Sequence, residues 1–179
     1  MLSLPEPAKP DPKATTSNTP DRRPPAPPSG RTLEFQAAGI RLRHPDNWKP
    51  SVQGTNVTIA PDGGSIGGNL AYGMTIDAFK PQGARNLPQA TAQLLDDFKR
   101  GNPSMQIVRS GVQTRVDGLP ALLAEILNNS PAGGQETDLV ITVLRSNTEL
   151  LYFVTVAPSR DFPQYGNTFS SIMDSVRLR

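Results

Sequence analysis

Hydrophobic and polar positions alternate most cleanly over residues 70–78. Leu70, Tyr72, Met74, Ile76 and Ala78 fall on one side, and Ala71, Gly73, Thr75 and Asp77 on the other. A period of two marks a strand with one buried face. The strongest β-forming runs come later: Leu139–Leu144 and Leu150–Val156 flank the polar turn Arg145-Ser146-Asn147-Thr148-Glu149 and predict a hairpin. Pro158 stops its second strand. Asp161 then offers a helix N-cap, Gln164 a capping-box partner three residues on, and Pro163 fits the first turn. Phe162, Tyr165, Phe169, Ile172, Met173 and Val176 follow at spacings of three and four, which is one face of a helix.

A second helix is predicted from Asn86, again with a glutamine, Gln89, at the third helical position. Leu87, Ala90, Leu94, Leu95 and Phe98 form its apolar face. Lys99 and Arg100 suit its C-terminal dipole, Gly101 the position after its end, and Pro103 the stop. Further strands are expected at Leu33–Phe35 and Ile40–Leu42 around the turn Ala37-Ala38-Gly39, and at Val57–Ala60 ending on Pro61. Met105–Val108 and Gln113–Val116 read as strands around Gly111. Asp117-Gly118 is a tight turn, Ala121–Leu127 a strand apolar enough to be central, and Asn128–Gln135 a loop. Antiparallel strands with two segregated helices predict an α+β domain rather than a doubly wound sheet.

The first 30 residues break this pattern. They hold nine prolines and no aromatic residue. Such a segment buries too little apolar surface to offset its ordering entropy, so residues 1–30 read as a disordered, partly polyproline-II linker and residues 31–179 as one domain. Pro24-Pro25-Ala26-Pro27-Pro28 beside Arg22-Arg23 matches a PxxP ligand, but the plainer reading is a tether. Whether Met1 is a natural start or a truncation boundary is open.

Composition narrows the chemistry. The chain of 179 residues has no cysteine and one histidine, His44. Thiolate nucleophiles, thiolate metal sites and the two histidines of an HExxH zinc site are excluded. A net charge of +2 spread along the chain forms no basic stripe, so no nucleic-acid partner is expected. No apolar run reaches the length of a membrane span, no signal-peptide core follows Met1, and no membrane insertion is expected. The loop Asp62-Gly63-Gly64-Ser65-Ile66-Gly67-Gly68-Asn69 lacks the Lys-Ser/Thr ending of a phosphate cradle and reads as a flexible hairpin loop. Asp96 and Asp97 diverge around a helix. Glu136 and Asp138 share one face of a strand, where a solvated strand edge is the plain reading and a calcium or acid–base role the sharper one. Trp48, following the Pro45-Asp46-Asn47 turn, closes one end of the core or forms a stacking platform. A hydrolase would have to be built on His44 with Ser51 or Thr55 brought to it by the fold. The expectation is an absence of catalytic, cofactor-binding and metal-binding residues, with the binding residues unassigned.

Several segments resemble known proteins. These are Leu42-Arg43-His44-Pro45-Asp46-Asn47-Trp48, Val57-Thr58-Ile59-Ala60-Pro61 with the following Gly-Gly, Ala71-Tyr72-Gly73-Met74, Asn102-Pro103 and Val156-Ala157-Pro158-Ser159-Arg160-Asp161-Phe162. With the order of elements, they resemble the PsbP-like α/β/α sandwich, in which a curved antiparallel β-sheet carries helices on both faces. Over residues 33–179 the resemblance is to the PsbP-like C-terminal domain of bacterial zinc metallopeptidases of the CAAX-prenyl-protease/HtpX type, in which a proline-rich linker precedes the domain. The protease's own HExxH helix matches nothing in this chain. The resemblance implies a non-catalytic accessory domain that binds a protein or peptide, a tethered protease domain among the candidates, in a periplasmic or otherwise exported setting. The alternative is a free-standing PsbP-like binding or assembly protein.

Overall fold

A computed structural model describes residues 23–179. In chain order the strands are β1 (Thr32–Ala37), β2 (Ile40–Pro45), β3 (Trp48–Gln53), β4 (Asn56–Pro61), β5 (Ser65–Ile66), β6 (Asn69–Leu70) and β7 (Gly73–Phe79). Helix α1 (Leu87–Gly101) follows, then β8 (Gln106–Val116), β9 (Leu119–Asn129), β10 (Gln135–Ser146), β11 (Glu149–Pro158), helix α2 (Phe162–Ser175) and β12 (Arg177–Leu178). Seven strands form an antiparallel sheet in the order β3-β4-β7-β11-β10-β9-β8, and β1-β2-β12 form a smaller one. The result is a sheet-rich α+β fold with two helices.

The period-two rule sorts the core. On β10, Val140 packs with Ala124, Ile126, Val154 and the α1 residues Ala90, Leu94 and Leu95. Its neighbours Ile141 and Val143 pack with Phe153, Ile76 and the α2 residues Tyr165, Phe169 and Ile172. Successive side chains of a strand point to opposite faces, so each helix covers its own face of the sheet. Trp48 is 1% exposed and meets Phe169 edge-on at 6.0 Å between ring centroids. It closes the core and is no stacking platform.

The clean alternation over residues 70–78 survives only from Gly73 onward. Leu70 belongs to the short β5–β6 hairpin and packs toward the α1 core, whereas Tyr72, Met74 and Ile76 lie in the α2 core. The break falls between Leu70 and Tyr72, and at Gly73 (φ +138), the first residue of β7, an added Cβ would sit 2.5 Å from the Ile59 carbonyl oxygen. Only glycine allows β4 and β7 to approach there. The expected glycine-rich loop contains that β5–β6 hairpin, anchored where the Gly64 carbonyl accepts the amides of Ala71 and Tyr72 at 2.8 and 2.9 Å.

The helix ends differ from expectation. Asn86 caps α1 as predicted, its Oδ1 accepting the Gln89 amide at 2.9 Å, while Gln89 Oε1 accepts the Arg85 amide at 2.9 Å. Gly101 is the last helical residue, and Asn102 takes the cap with its amide on the Phe98 carbonyl at 2.8 Å. Asp161 makes no side-chain cap. Its carboxylate instead accepts the Tyr72 hydroxyl at 2.8 Å, with Arg160 at 3.5 Å, so no capping box with Gln164 forms. Strands β3 and β12 were not foreseen. The two strands read around Gly111 are two paired stretches of the single strand β8, separated by register shifts.

Candidate binding surface

The residues singled out from the sequence do not converge. His44 is buried, and its Nδ1 lies 2.8 Å from the Pro45 carbonyl. Thr55 donates to Asp77 Oδ1 at 2.7 Å, and Ser51 sits exposed on β3, so neither supplies a nucleophile to the imidazole. Asp96 and Asp97 are exposed, with Asp97 bonded to Arg100 at 2.6 Å. Among the described residues no group of three or more His, Asp or Glu side chains is placed to hold a metal ion. No helix of the described residues is long and apolar enough to cross a membrane. Of the proline-rich leader, the prolines up to Pro20 lie outside the described residues. Its end is held to the domain: Asn47 donates to the Pro27 carbonyl and accepts the Ser29 amide, both at 2.9 Å.

The plain reading of Glu136 and Asp138 as a solvated strand edge is wrong. Strand β10 is internal, between β9 and β11, and both carboxyls are buried on its α1 face. Asp138 Oδ2 accepts from Asn128 at 2.6 Å, and Asn128 in turn accepts from Asn102 at 2.8 Å. Glu136 Oε2 and Asp138 Oδ1 have no partner. Burial, with the charge of Asp138 second and a Ser130 hydrogen bond opposing, pushes Glu136 up to about 8. Burial pushes Asp138 up to about 7, against the Asn128 bond. The internal position of β10, between β9 and β11, was the missing information.

The exposed surface is unequal at the two sheet edges. At one edge, β3 carries Pro50, which has no N–H to offer, and Lys49 paired with Asp62 at 2.7 Å. Proline and lysine blunt an edge against further pairing. At the other, β8 runs eleven residues, and every one but Val116 is exposed. Ile107, Val108 and Val112 are 46%, 54% and 39% exposed, with Leu119 of the adjoining turn at 41%. Its positive charges are Arg109, paired to Glu125 at 2.7 Å, and Arg115. The strand bends at Gly111 (φ +71), yet on each side it is laddered to β9 alone. Such an edge can accept an extended polypeptide as a further strand, with backbone hydrogen bonds supplying affinity and alternate side chains supplying selectivity.

No family model matches the chain, and no curated protein does. Solved structures do. The solution structure of the cyanobacterial PsbP protein CyanoP from Synechocystis is similar with a TM-score of 0.60 at 12% identity, over 83% of this chain and 92% of that one. A protein of unknown function from Pseudomonas aeruginosa gives 0.53 at 15% identity, over 84% and 99%. LpqN of Mycobacterium tuberculosis, described as involved in cell envelope biogenesis, gives 0.53 at 14% identity, over 83% and 90%. At these identities the likeness is one of fold, and the fold of this chain is PsbP-like.

Proposed function

We propose that the chain is a non-catalytic accessory domain that binds an extended segment of a partner protein along β8. The observation that carries this reading is the eleven-residue edge β8 with Ile107, Val108 and Val112 exposed and no proline in it, beside an opposite edge blunted by Pro50 and Lys49. A sheet with one helix on each face is in this reading the α/β/α sandwich, and residues 31–179 are the domain. The resemblance of residues 33–179 to the tail domain of envelope zinc metallopeptidases makes the partner a tethered protease domain or its substrates. It also makes the proline-rich leader the tether and the periplasm or an equivalent exported space the setting. LpqN's description as involved in cell envelope biogenesis is compatible with that setting.

A second reading has its own support. Three of the similar solved structures are matched over 90% or more of their lengths, so in those this fold is almost the whole chain, whereas a fourth, from Bacteroides thetaiotaomicron, is matched over 49% of its length. In that reading the protein is a free-standing binding or assembly protein. An HExxH-encoding stretch in frame upstream of Met1 supports the tethered form, and an upstream stop codon the free-standing one. The binding claim common to both is tested by placing a photo-crosslinking amino acid at Val108 and, as control, at Val52 of β3, in the native host. A discrete adduct at position 108 that is lost on Val112→Lys is expected. Equal labelling at both positions, or none at 108, would sink the docking of a partner on β8.

A further inference from the structure

The small sheet gathers charge that the sequence spreads out. On β2, Arg41 and Arg43 are two residues apart and share one face. On β12, Arg177 stands directly opposite Arg41, and on β1 Glu34 stands directly opposite Arg43. Directly opposed residues of an antiparallel pair point to the same side. Glu34, Arg43 and Arg177 are exposed, and Arg41 is partly so. With Leu42 and Ser175 these four line an open cavity of about 420 Å³. Three guanidiniums there meet one carboxylate.

The arrangement is unfavourable on its own. Like charges directly opposite across a sheet destabilise it, and Arg41 and Arg177 are such a pair. Among the described residues neither Arg41 nor Arg43 joins an ion pair, with Glu34 or any other acid. Arg177 is partly answered, its Nε lying 3.8 Å from Asp117 Oδ1. Its Nη1 donates to the carbonyls of Val176 at 2.7 Å and Asp174 at 3.1 Å, which fixes the guanidinium at the end of α2. Ser175 fixes the other side: its Oγ accepts the Arg43 amide at 2.8 Å and donates to the Ile172 carbonyl at 2.7 Å. The cations thus stand on backbone tied to α2, and the charge of Arg41 and Arg43 is left unanswered.

We propose that this cavity binds a phosphomonoester group, Arg41 and Arg43 donating to its oxygens and Arg177 closing the cradle. The planar fork of a guanidinium matches two phosphate oxygens at once. Charge selects the monoester. Three cations against Glu34 leave two positive charges over. A phosphomonoester carries about −1.5 to −2 at pH 7, whereas a diester carries a single negative charge. Three arginines in one cavity suit a single phosphate group and are too few to follow a nucleic-acid backbone. No residue of β8 lines this cavity, so the site is independent of partner docking on that edge.

The phosphomonoester reaches the site either free in solution or as a lipid head group, and two arms separate these sources. In the first, glycerol 3-phosphate is titrated into the full chain by calorimetry. In the second, the chain is floated with phosphatidylcholine vesicles holding either phosphatidic acid, a monoester, or phosphatidylglycerol, a diester, at matched surface charge. Saturable binding of glycerol 3-phosphate with a Kd of about 1 mM or tighter assigns a soluble ligand. Flotation with phosphatidic acid but not phosphatidylglycerol assigns a lipid. In whichever arm binds, Arg41→Gln and Arg43→Gln should each weaken binding about tenfold, the worth of one charge-assisted hydrogen bond. Glu34→Gln should strengthen it. Arg85→Gln removes the same charge at an exposed position outside the cavity and should leave it unchanged. Binding in neither arm overturns the proposal. So does flotation that fails to distinguish the two lipids when glycerol 3-phosphate does not bind, or an Arg85→Gln loss as large as that of Arg41→Gln, which would mark diffuse attraction to a basic chain.

Discussion

The two faces of the seven-stranded sheet are both buried, but they are filled by different means. Under α2 the core is aromatic: Trp48, Tyr72, Phe153, Tyr165 and Phe169 pack together, with Tyr72 and Tyr165 at 5.5 Å and Tyr165 and Phe169 at 6.1 Å between centroids. Under α1 the core is aliphatic and carries polar groups inside it. Thr91 and Thr142 share a hydrogen bond of 2.7 Å, and Glu136 and Asp138 lie at the end where α1 stops. Aromatic burial depends on area and ring contact and is insensitive to pH. Polar burial depends on each group's partner and protonation state. Both faces carry buried polar groups, Tyr72 bonded to Asp161 on the α2 side among them, but the two carboxyls that burial pushes up lie on the α1 face.

The largest effect expected is on the aromatic face. Trp48→Ala removes a ring touching Tyr165 and Phe169 and should cost about 3–5 kcal/mol in a urea titration, with little dependence on pH. A loss below about 1 kcal/mol would show that this face does not rest on ring packing. Next is the pH response of the α1 face. Glu136 and Asp138 have native values raised to about 8 and about 7, against about 4 in the unfolded chain. Between those values the folded state holds more protons than the unfolded one. Their contribution is full below about pH 4 and is lost as the pH rises through 7 and 8. The thermal midpoint should fall by several degrees between pH 5 and 8.5, roughly what a few kcal/mol produce in a domain of this size. The double variant Glu136→Gln, Asp138→Asn should flatten that slope; an unchanged slope would assign the pH dependence elsewhere. The smallest effect is at the helix ends. Asn86→Ala removes the cap of α1 and should cost about 1 kcal/mol, observed as an earlier urea midpoint at constant slope.

The faces were unequally legible in the sequence. The aromatic stripe of α2 and the apolar stripe of α1 are local periodicities, and both helices formed where the spacing put them. Trp48 was legible as a core anchor because a lone tryptophan after a Pro-Asp-Asn turn has few other uses. Glu136 and Asp138 were not legible as buried, because their burial depends on which strands flank β10, a fact of tertiary order. The same limit hid β3: Lys-Pro-Ser-Val-Gln has weak strand propensity and is held in place by pairing with β4. Asp161 misled for a related reason. Its sequence context is that of a cap, but Tyr72, 89 residues away, claims its carboxylate.

The position of β11 in the sheet bears on how the chain reaches this state. Strands β8, β9, β10 and β11 follow one another as neighbours in both sequence and space, so each joins the last across a short turn. The pairing of β11 with β7 is different, because Val156 meets Gly73 only after all of α1 and the intervening strands have been bridged. Closing that long loop spends chain entropy before any contact rewards it, and sheets dominated by such distant pairings fold in milliseconds to seconds rather than microseconds. On loop-closure entropy the four-strand meander is expected to form first and the β7–β11 seam to join late. Substitutions in the meander, such as Ile126→Val, should slow refolding, while those at the seam, such as Ile76→Val, should mainly hasten unfolding.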